Sequence, residues 1–227
     1  MNRVPTGSPS SDVSSAGARP LRVGMFGGAF DPPHWAHRAL AEAALGQLGL
    51  DMLHILPTGQ AWHKSRVLTP AKHRLAMCEL AFGDLPRTRM DAREIQRQGP
   101  SYTADTLREL AGEYPQAQLF LVLGADQLLA FKSWVRWSDV LEQATLAVAN
   151  RAVNIGANGA LDQVQEMDLS AVDLPFERLQ MPLKNISATA VRAHVERPVS
   201  RSGALDVLVP EAVAGYISHH HLYQKHS

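Results

Sequence analysis

The amino-acid sequence has 227 residues, of which 45% are hydrophobic, and this content is sufficient for the core of a single α/β domain. Lys plus Arg and Asp plus Glu number 22 each, so no net charge attracts DNA or RNA, and we expect no nucleic-acid partner. No run of roughly 18 consecutive apolar residues occurs, so we expect no membrane span.

The amino-terminal segment differs in composition from the rest of the chain. Residues 1–20 are rich in Ser, Gly and Pro and lack the apolar stretch of a signal peptide. We predict that they form a disordered tail and that residues 21–227 form one domain. The single cysteine, Cys78, lies on an apolar helical stripe and cannot form a disulfide within the chain. We expect it to pack as a small hydrophobic residue in a reducing, cytoplasmic protein.

Short apolar runs alternate with segments of helical periodicity along the chain. In chain order, this pattern predicts a strand at 21–26, a helix that begins near 31–33, a strand at 52–56, a helix from 69–70 to about 82, a strand at 89–95, a helix at 103–114, a strand at 119–123, a helix at 134–143 and a strand at 145–149. Residues 151–184 lack clear periodicity, so we expect a long connection with one or two short strands before a helix that begins at Ser187.

This alternation predicts a Rossmann-like α/β fold, in which a doubly wound parallel sheet carries helices on both faces. Ligands of such sheets bind at the carboxyl ends of the strands. Gly27, His34, Gly124 and Asp126 all follow predicted strands. We therefore expect these four residues to lie at one edge of the sheet.

A glycine pair, Gly27 and Gly28, follows the first strand and lets the backbone turn with no Cβ in the way, so that a phosphate can approach the amide groups. Asp31 and Pro32 come next, and we interpret Asp31 as the N-cap of a helix and the proline as its first residue. A glycine pair alone is more often an ordinary turn, so its significance depends on the residues that follow.

A histidine pair lies at the amino end of this predicted helix, where backbone amides and the helix dipole stabilise an anion. His34 and His37 are about one turn apart on one face. Such a pair alone is more often an accident of a surface or a core. It could also supply two ligands of a metal, but no third Cys, His or carboxylate stands at zinc spacing, so we do not expect zinc. Together with the glycines, the pair predicts a nucleotide-phosphate site.

A second anion site is predicted at the start of a later helix. Ser187 is a favourable N-cap, and Thr189 and Arg192 follow within about one and a half turns. Backbone amides, two hydroxyl groups and a guanidinium can therefore converge on one oxyanion. This arrangement suits a departing pyrophosphate.

These two segments carry a resemblance to a known superfamily. Residues 27–37 resemble the GGxFDPxHxGH signature of the nucleotidyltransferases, which join a nucleoside monophosphate to a phosphate-bearing acceptor, and residues 186–192 resemble their ISxTxxR motif. The resemblance implies three catalytic residues, which are His34, His37 and Arg192. The residues that it assigns to ATP are Gly27, Gly28, Phe30, Ser187 and Thr189.

Three further segments resemble the nicotinate-nucleotide adenylyltransferase branch of that superfamily. Residues 100–107 resemble PSYTxxTL, residues 124–134 resemble GxDxLxxFxxW, and residues 57–64 resemble PxxxxxHK. The resemblance implies transfer of AMP from ATP to nicotinate mononucleotide, which forms nicotinate adenine dinucleotide and pyrophosphate in NAD biosynthesis. The residues that it assigns to the acceptor are His63, Lys64, Tyr102, Thr103 and Trp134, and those that it adds for ATP are Asp126 and Arg151.

Several roles remain open on the residues themselves. Asp126 could instead cap a helix, and Tyr102 and Trp134 could be ordinary core aromatics.

Magnesium is expected as a cofactor that binds mainly through the phosphates of ATP, because the chain offers few cations against a tetra-anion and a dianionic acceptor.

Two other functions compete with this one. A related transferase could use pantetheine phosphate, nicotinamide mononucleotide or a polyol phosphate as acceptor, but the segments at 100–107 and 124–134 favour nicotinate mononucleotide. A non-catalytic nucleotide-binding module could have the same fold, but we would expect it to have lost a histidine or the Arg192 motif. Both are present.

Overall fold

The described chain alternates strands and helices, as the sequence pattern predicts. The computed structural model describes residues 19–59, 67–150, 152–154, 164–182, 185–196 and 205–224. The strands are β1 (Arg22–Gly28), β2 (Met52–Pro57), β3 (Thr88–Met90), β4 (Gln118–Gly124), β5 (Thr145–Ala149), β6 (Ala152–Asn154), β7 (Val164–Glu166) and β8 (Glu177–Leu179). The helices are α1 (Trp35–Gln47), α2 (Ala71–Phe82), α3 (Arg93–Gln96), α4 (Thr103–Glu113), α5 (Ala125–Leu129), α6 (Trp137–Gln143), α7 (Ala188–Glu196) and α8 (Glu211–His219).

Six of the described strands form one parallel sheet in the order β3-β2-β1-β4-β5-β8. Strand order reverses between β1 and β4, which are hydrogen-bonded neighbours. In a doubly wound sheet, the crevice at this reversal, outside the carboxyl ends of the strands, is the usual ligand site. β6 and β7 pair separately as a short antiparallel ribbon.

Helices cover both faces of the sheet. Alternate residues of a strand point to opposite sides, so a strand that is apolar throughout contributes side chains to a core on each face. In β4, Phe120 and Val122 pack into a core formed with α1, α2 and α8, whereas Leu119, Leu121 and Leu123 pack into a second core formed with α4, α5 and α6. The two layers confirm the predicted doubly wound α/β fold. Cys78 is fully buried in the first core, as its apolar stripe predicts.

Two strand predictions are wrong in extent. The predicted strand at 89–95 is short: β3 ends at Met90, and residues 93–96 form the helix α3. Asp91 is the cause, because its carboxylate accepts a hydrogen bond from the backbone amide of Arg93 at 3.1 Å and so begins a turn. The region 151–184 contains one more strand than expected, since β8 extends the main sheet by pairing with β5.

Some helix boundaries also differ from the prediction. The segment 134–143 is helical only from Trp137, and a short 3₁₀ helix spans Phe131–Ser133 before it. The predicted Thr69–Pro70 start is close, since α2 begins at Ala71. α5 was predicted only through the alternative role of Asp126 as a helix cap, because Ala125–Leu129 is too short to show helical periodicity.

The described residues begin with the last two of the predicted tail. Arg19 donates hydrogen bonds to both carboxylate oxygens of Asp51, at 2.7 and 2.8 Å. Residues 1–18 lie outside the described part of the chain, so the tail and the boundary near residue 20 stay predictions. Of the helices that the structure describes, none has the length and apolar content needed to cross a membrane.

Candidate active site

The turn after β1 lies at the reversal of strand order. Gly27 and Gly28 are the last residues of β1, and Gly124 is the last residue of the neighbouring β4. A Cβ on Gly28 would lie 3.2 Å from the ring of Phe30, so glycine allows that ring to pack beneath the turn. The Phe30 ring is 2% exposed and packs edge-on against His37, with ring centroids 5.1 Å apart. The ring of Phe30 therefore supports the His37 ring by packing against it.

The two signature histidines lie side by side at the start of α1. His34 occupies the N-cap position, and the rings of His34 and His37 stack with centroids 3.7 Å apart. The backbone N–H of His34 donates to Nδ1 of His37 at 3.3 Å. Because Nδ1 accepts this hydrogen bond, the neutral ring carries its proton on Nε2, which becomes a donor. The predicted pair at a positive helix end is confirmed.

Asp31 does not cap α1, and this prediction was wrong, because the helix begins four residues later at Trp35. Its carboxylate is instead buried, at 2% exposure, and accepts hydrogen bonds from the Tyr223 hydroxyl at 2.7 Å and the Thr69 amide at 3.2 Å. Its backbone carbonyl accepts a hydrogen bond from Arg192 at 2.7 Å. Asp31 thus joins the signature turn to three distant segments.

The hydrogen bond from Arg192 to Asp31 joins the two segments that were predicted as anion sites. Ser187 caps α7 as predicted, since its hydroxyl accepts a hydrogen bond from the amide of Ala190 at 3.1 Å. Arg192 donates to the Thr189 hydroxyl at 3.0 Å as well as to Asp31. The Arg192 guanidinium is therefore fixed beside the turn that carries His34.

Arg74 is a structural residue that the sequence analysis missed. It is 1% exposed and donates to the carbonyl groups of Ala29 and Thr69, each at 2.9 Å, and of Gly59 at 3.3 Å. It therefore ties the turn after β1 to the segments after β2 and before α2. The available signal was a charged residue on the apolar stripe that also contains Cys78.

Glu94 is a second buried residue that the sequence did not indicate. Its carboxylate accepts hydrogen bonds from the hydroxyl groups of Thr58 at 3.1 Å and Thr106 at 3.0 Å. Burial raises the pKa of Glu94 above its usual value, although these hydroxyl groups oppose the change. The Glu94 carbonyl lies 2.0 Å from where a Cβ on Gly59 would stand, so only glycine fits there. Glu94 thereby links the end of β2 to α4.

Three of the residues predicted to bind the acceptor lie at the start of α4 and in the loop before α6. Tyr102 is the N-cap residue of α4 and is 36% exposed, and Thr103 is the first residue of that helix. Trp134 is partly buried, and its ring lies 5.3 Å from that of Phe131. Arg136, two residues later, places its guanidinium 5.3 Å from the Tyr102 ring. The two predicted segments are therefore in contact through Arg136.

Asp126 lies at the carboxyl end of β4, as predicted, but it does not cap α5. Gly124 occupies the N-cap position, and Asp126 is an exposed residue of the first turn.

Three of the predicted site residues, His63, Lys64 and Arg151, lie outside the described residues. Within the described ranges, no three His, Cys, Asp or Glu side chains come together as a metal site.

The site combines the amino ends of α1 and α7 with a histidine pair and an arginine, at the point where strand order reverses. These features define the protein as an α/β nucleotidyltransferase. A family model described as cytidylyltransferase-like matches residues 25–194. A protein of Albidiferax ferrireducens, named "Probable nicotinate-nucleotide adenylyltransferase", is 51% identical over 89% of this chain and 98% of its own length. A protein of the same name from Methylibium petroleiphilum is 41% identical over 89% of this chain and 92% of its own. The chain therefore belongs to the nicotinate-nucleotide adenylyltransferases of the cytidylyltransferase-like family.

Solved structures support the fold. The nicotinic acid mononucleotide adenylyltransferase of Plasmodium falciparum, complexed with APC, has a TM-score of 0.69 and covers 89% of this chain and 97% of its own. The same enzyme complexed with NaAD has a TM-score of 0.66 with the same coverage. Both are 15% identical in sequence, so they bear on the fold alone.

Proposed function

We propose that this protein transfers the AMP part of ATP to nicotinate mononucleotide, with release of pyrophosphate and formation of nicotinate adenine dinucleotide. The observation that carries the proposal is the 2.7 Å hydrogen bond from Arg192 to the carbonyl of Asp31. It joins α7 to the turn that precedes α1, so the two helix amino ends that we propose as anion sites would flank one crevice. The relatives named for this activity supply the identity of the acceptor.

The reaction is an in-line attack of the acceptor's phosphate oxygen on the α-phosphorus of ATP. The bond to the β-phosphate oxygen breaks as the new P–O bond forms, and pyrophosphate leaves. Catalysis of such a step needs positioning and charge stabilisation rather than a covalent intermediate. The stacked histidines and the amides of the α1 amino end would stabilise charge on the α-phosphate, with Nε2–H of His37 as a donor.

Arg192, Ser187 and Thr189 would hold the departing phosphates. The guanidinium is already oriented by Asp31 and Thr189, so little reorganisation is needed when charge develops on the leaving group. Gly27 and Gly28 would let the backbone of the β1 turn approach the nucleotide. Asp126 would accept hydrogen bonds from the ribose, in keeping with its exposed position at the end of β4.

The acceptor would occupy the space between α4 and the loop before α6. Trp134 would stack on the pyridine ring, and Thr103 with the amides near Tyr102 would receive the nicotinate carboxylate at the amino end of α4. His63 and Lys64 would contact the acceptor, and Arg151 the adenosine.

ATP would enter as its magnesium complex. The described residues gather no set of protein ligands for a metal, and Mg²⁺ commonly binds through phosphates and water with few protein contacts. We expect the protein to work in the cytoplasm and without a nucleic-acid partner, as its composition predicts.

The test is a pyrophosphate-release assay with ATP, magnesium and a panel of acceptors. The panel contains nicotinate mononucleotide, nicotinamide mononucleotide, pantetheine phosphate and a polyol phosphate. The proposal predicts fastest release with nicotinate mononucleotide. Fastest release with pantetheine phosphate or a polyol phosphate would assign the chain to another branch, and no release with any acceptor would support a non-catalytic module.

A further inference from the structure

Arg136 connects the two segments that form the proposed acceptor site. It lies in the loop between the 3₁₀ helix Phe131–Ser133 and α6, two residues after Trp134. Its backbone is left-handed, with φ of 56°, a conformation that residues other than glycine adopt rarely. Such a conformation persists only where surrounding contacts hold it.

Those contacts come from α4. The Arg136 guanidinium lies over the Tyr102 ring at 5.3 Å from its centroid and donates a hydrogen bond to the carboxylate of Asp105. Asp105 lies in the first turn of α4, and its amide donates to the carbonyl of Tyr102 at 3.0 Å. One side chain therefore contacts the N-cap residue and the first turn of α4 from the loop that carries Trp134.

The charge of Asp105 makes this contact relevant to the acceptor. A carboxylate in the first turn of α4 lies close to the amide groups that would receive the nicotinate carboxylate, and two like charges there repel each other. Arg136 and Arg108 both donate to Asp105 and hold the pKa of its carboxyl below the usual value, so it is ionised at neutral pH. The positive charge of Arg136 neutralises the Asp105 carboxylate on the side where Tyr102 and Trp134 lie.

We propose that Arg136 is a positioning and specificity-determining residue for the acceptor. It fixes the loop of Trp134 against the amino end of α4, and it neutralises Asp105 where the acid group of the acceptor would bind. The inference rests on the proposed function, because it takes the carboxylate of nicotinate mononucleotide as the group to be discriminated. Arg136 acts through Tyr102, Asp105 and Trp134 and need not touch the substrate.

The experiment measures kcat and KM for both substrates in Arg136→Gln, with Arg108→Gln as the matched control. Both variants remove one guanidinium from Asp105, but only Arg136 also contacts Tyr102. The Arg136 and Asp105 side chains are 35% and 33% exposed, so their contact is partly screened by solvent. We therefore expect the KM for nicotinate mononucleotide to rise about three- to tenfold in Arg136→Gln, with the KM for ATP and kcat nearly unchanged. Arg108→Gln should resemble the wild type.

A second readout separates charge from packing. Without Arg136, Asp105 keeps its contact with Arg108 but is no longer neutralised on the side of Tyr102 and Trp134, where it would repel an acid but not an amide. The preference for nicotinate over nicotinamide mononucleotide should therefore fall in Arg136→Gln. Adding Asp105→Asn should restore this preference, and the two substitutions should be non-additive in the acceptor KM. Arg136→Lys, which keeps the charge but not the planar group, should keep the preference.

Three results would overturn the inference. They are equal rises in the KM values of ATP and acceptor, an unchanged acid-over-amide preference in Arg136→Gln, and an equal effect of Arg108→Gln. The wild type and Trp134→Ala are assayed in parallel. A wild type that does not use nicotinate mononucleotide refutes the proposed function itself. A wild type that uses it, together with an unaffected Arg136→Gln, refutes only the role of Arg136.

Discussion

The hydroxyl group of Tyr223 provides a direct test of how the end of the chain supports the signature turn. Tyr223→Phe removes only this hydroxyl, which donates to the buried carboxylate of Asp31 at 2.7 Å. A hydrogen bond to a charged group contributes about 1.5–3 kcal/mol, so the free energy of unfolding should fall by about that amount. For a chain of this length, the corresponding fall in Tm is about 3–12 °C.

The pH dependence of this effect has a defined sign. Burial and the charge of Asp31 raise the pKa of Tyr223 well above its usual value, so the tyrosine is a protonated donor at neutral pH. A raised folded-state pKa contributes stability that is complete below the unfolded value of about 10 and is lost as the pH rises above it. The difference between wild type and variant should therefore be constant near pH 7 and shrink above about pH 10.

The assay is urea unfolding, with Tyr216→Phe as the matched control. The Tyr216 hydroxyl lies 3.0 Å from Nδ1 of His73 and does not touch Asp31. Loss of the Tyr216 hydroxyl should lower the free energy of unfolding by about 0.5–1.5 kcal/mol, the contribution of a neutral hydrogen bond. Because the Asp31 carbonyl holds Arg192, turnover should fall in Tyr223→Phe more than in Tyr216→Phe. Equal losses of stability and activity in the two variants would refute the reasoning.

Three further predictions follow from the site and its supports. His34→Ala and His37→Ala should each lower turnover by about two orders of magnitude in steady-state assays while the circular dichroism stays native, and near-wild-type turnover would remove the histidine from the mechanism. Trp134→Ala should raise the KM for nicotinate mononucleotide far more than the KM for ATP, and equal increases would contradict the stacking role. Burial alone would raise the pKa of Asp91, but hydrogen bonds from His54 and Arg93 hold it well below its usual range. The wild type should therefore have a larger free energy of unfolding than Asp91→Asn, with the full difference above about pH 4 and a smaller one below it. Urea unfolding at several pH values would measure this difference.

The sequence predicted the sheet, the histidine pair at the start of α1 and the Ser187 cap of α7, because all three depend on local patterns. The apolar run of β4 and the helical stripe around Cys78 each contain their own signal. The histidine pair and the Ser187 cap lie within one turn of a helix start, so their geometry follows from spacing alone. Asp31 was misinterpreted because an acidic residue before proline is also a common helix start.

The long-range contacts could not be predicted. Asp31 and Tyr223 are 192 residues apart in the chain, and no periodicity relates them. Arg74 meets its carbonyl partners only after β1, β2 and α2 have packed together. Arg136 depends on a left-handed backbone conformation that its sequence does not indicate. Such contacts arise from tertiary packing, which local patterns do not record.

Comparison of kcat/KM for nicotinate and nicotinamide mononucleotide, at saturating ATP and magnesium, tests whether nicotinate mononucleotide is the acceptor of this protein. The acceptors differ only in a carboxylate or an amide, and the amide presents its own NH₂ to donors, which costs about 1–3 kcal/mol for each donor left unpaired. Two such donors at the amino end of α4 predict a preference for the acid of about thirtyfold or more. Equal values of kcat/KM, or a higher value for the amide, would show that the protein does not select nicotinate mononucleotide.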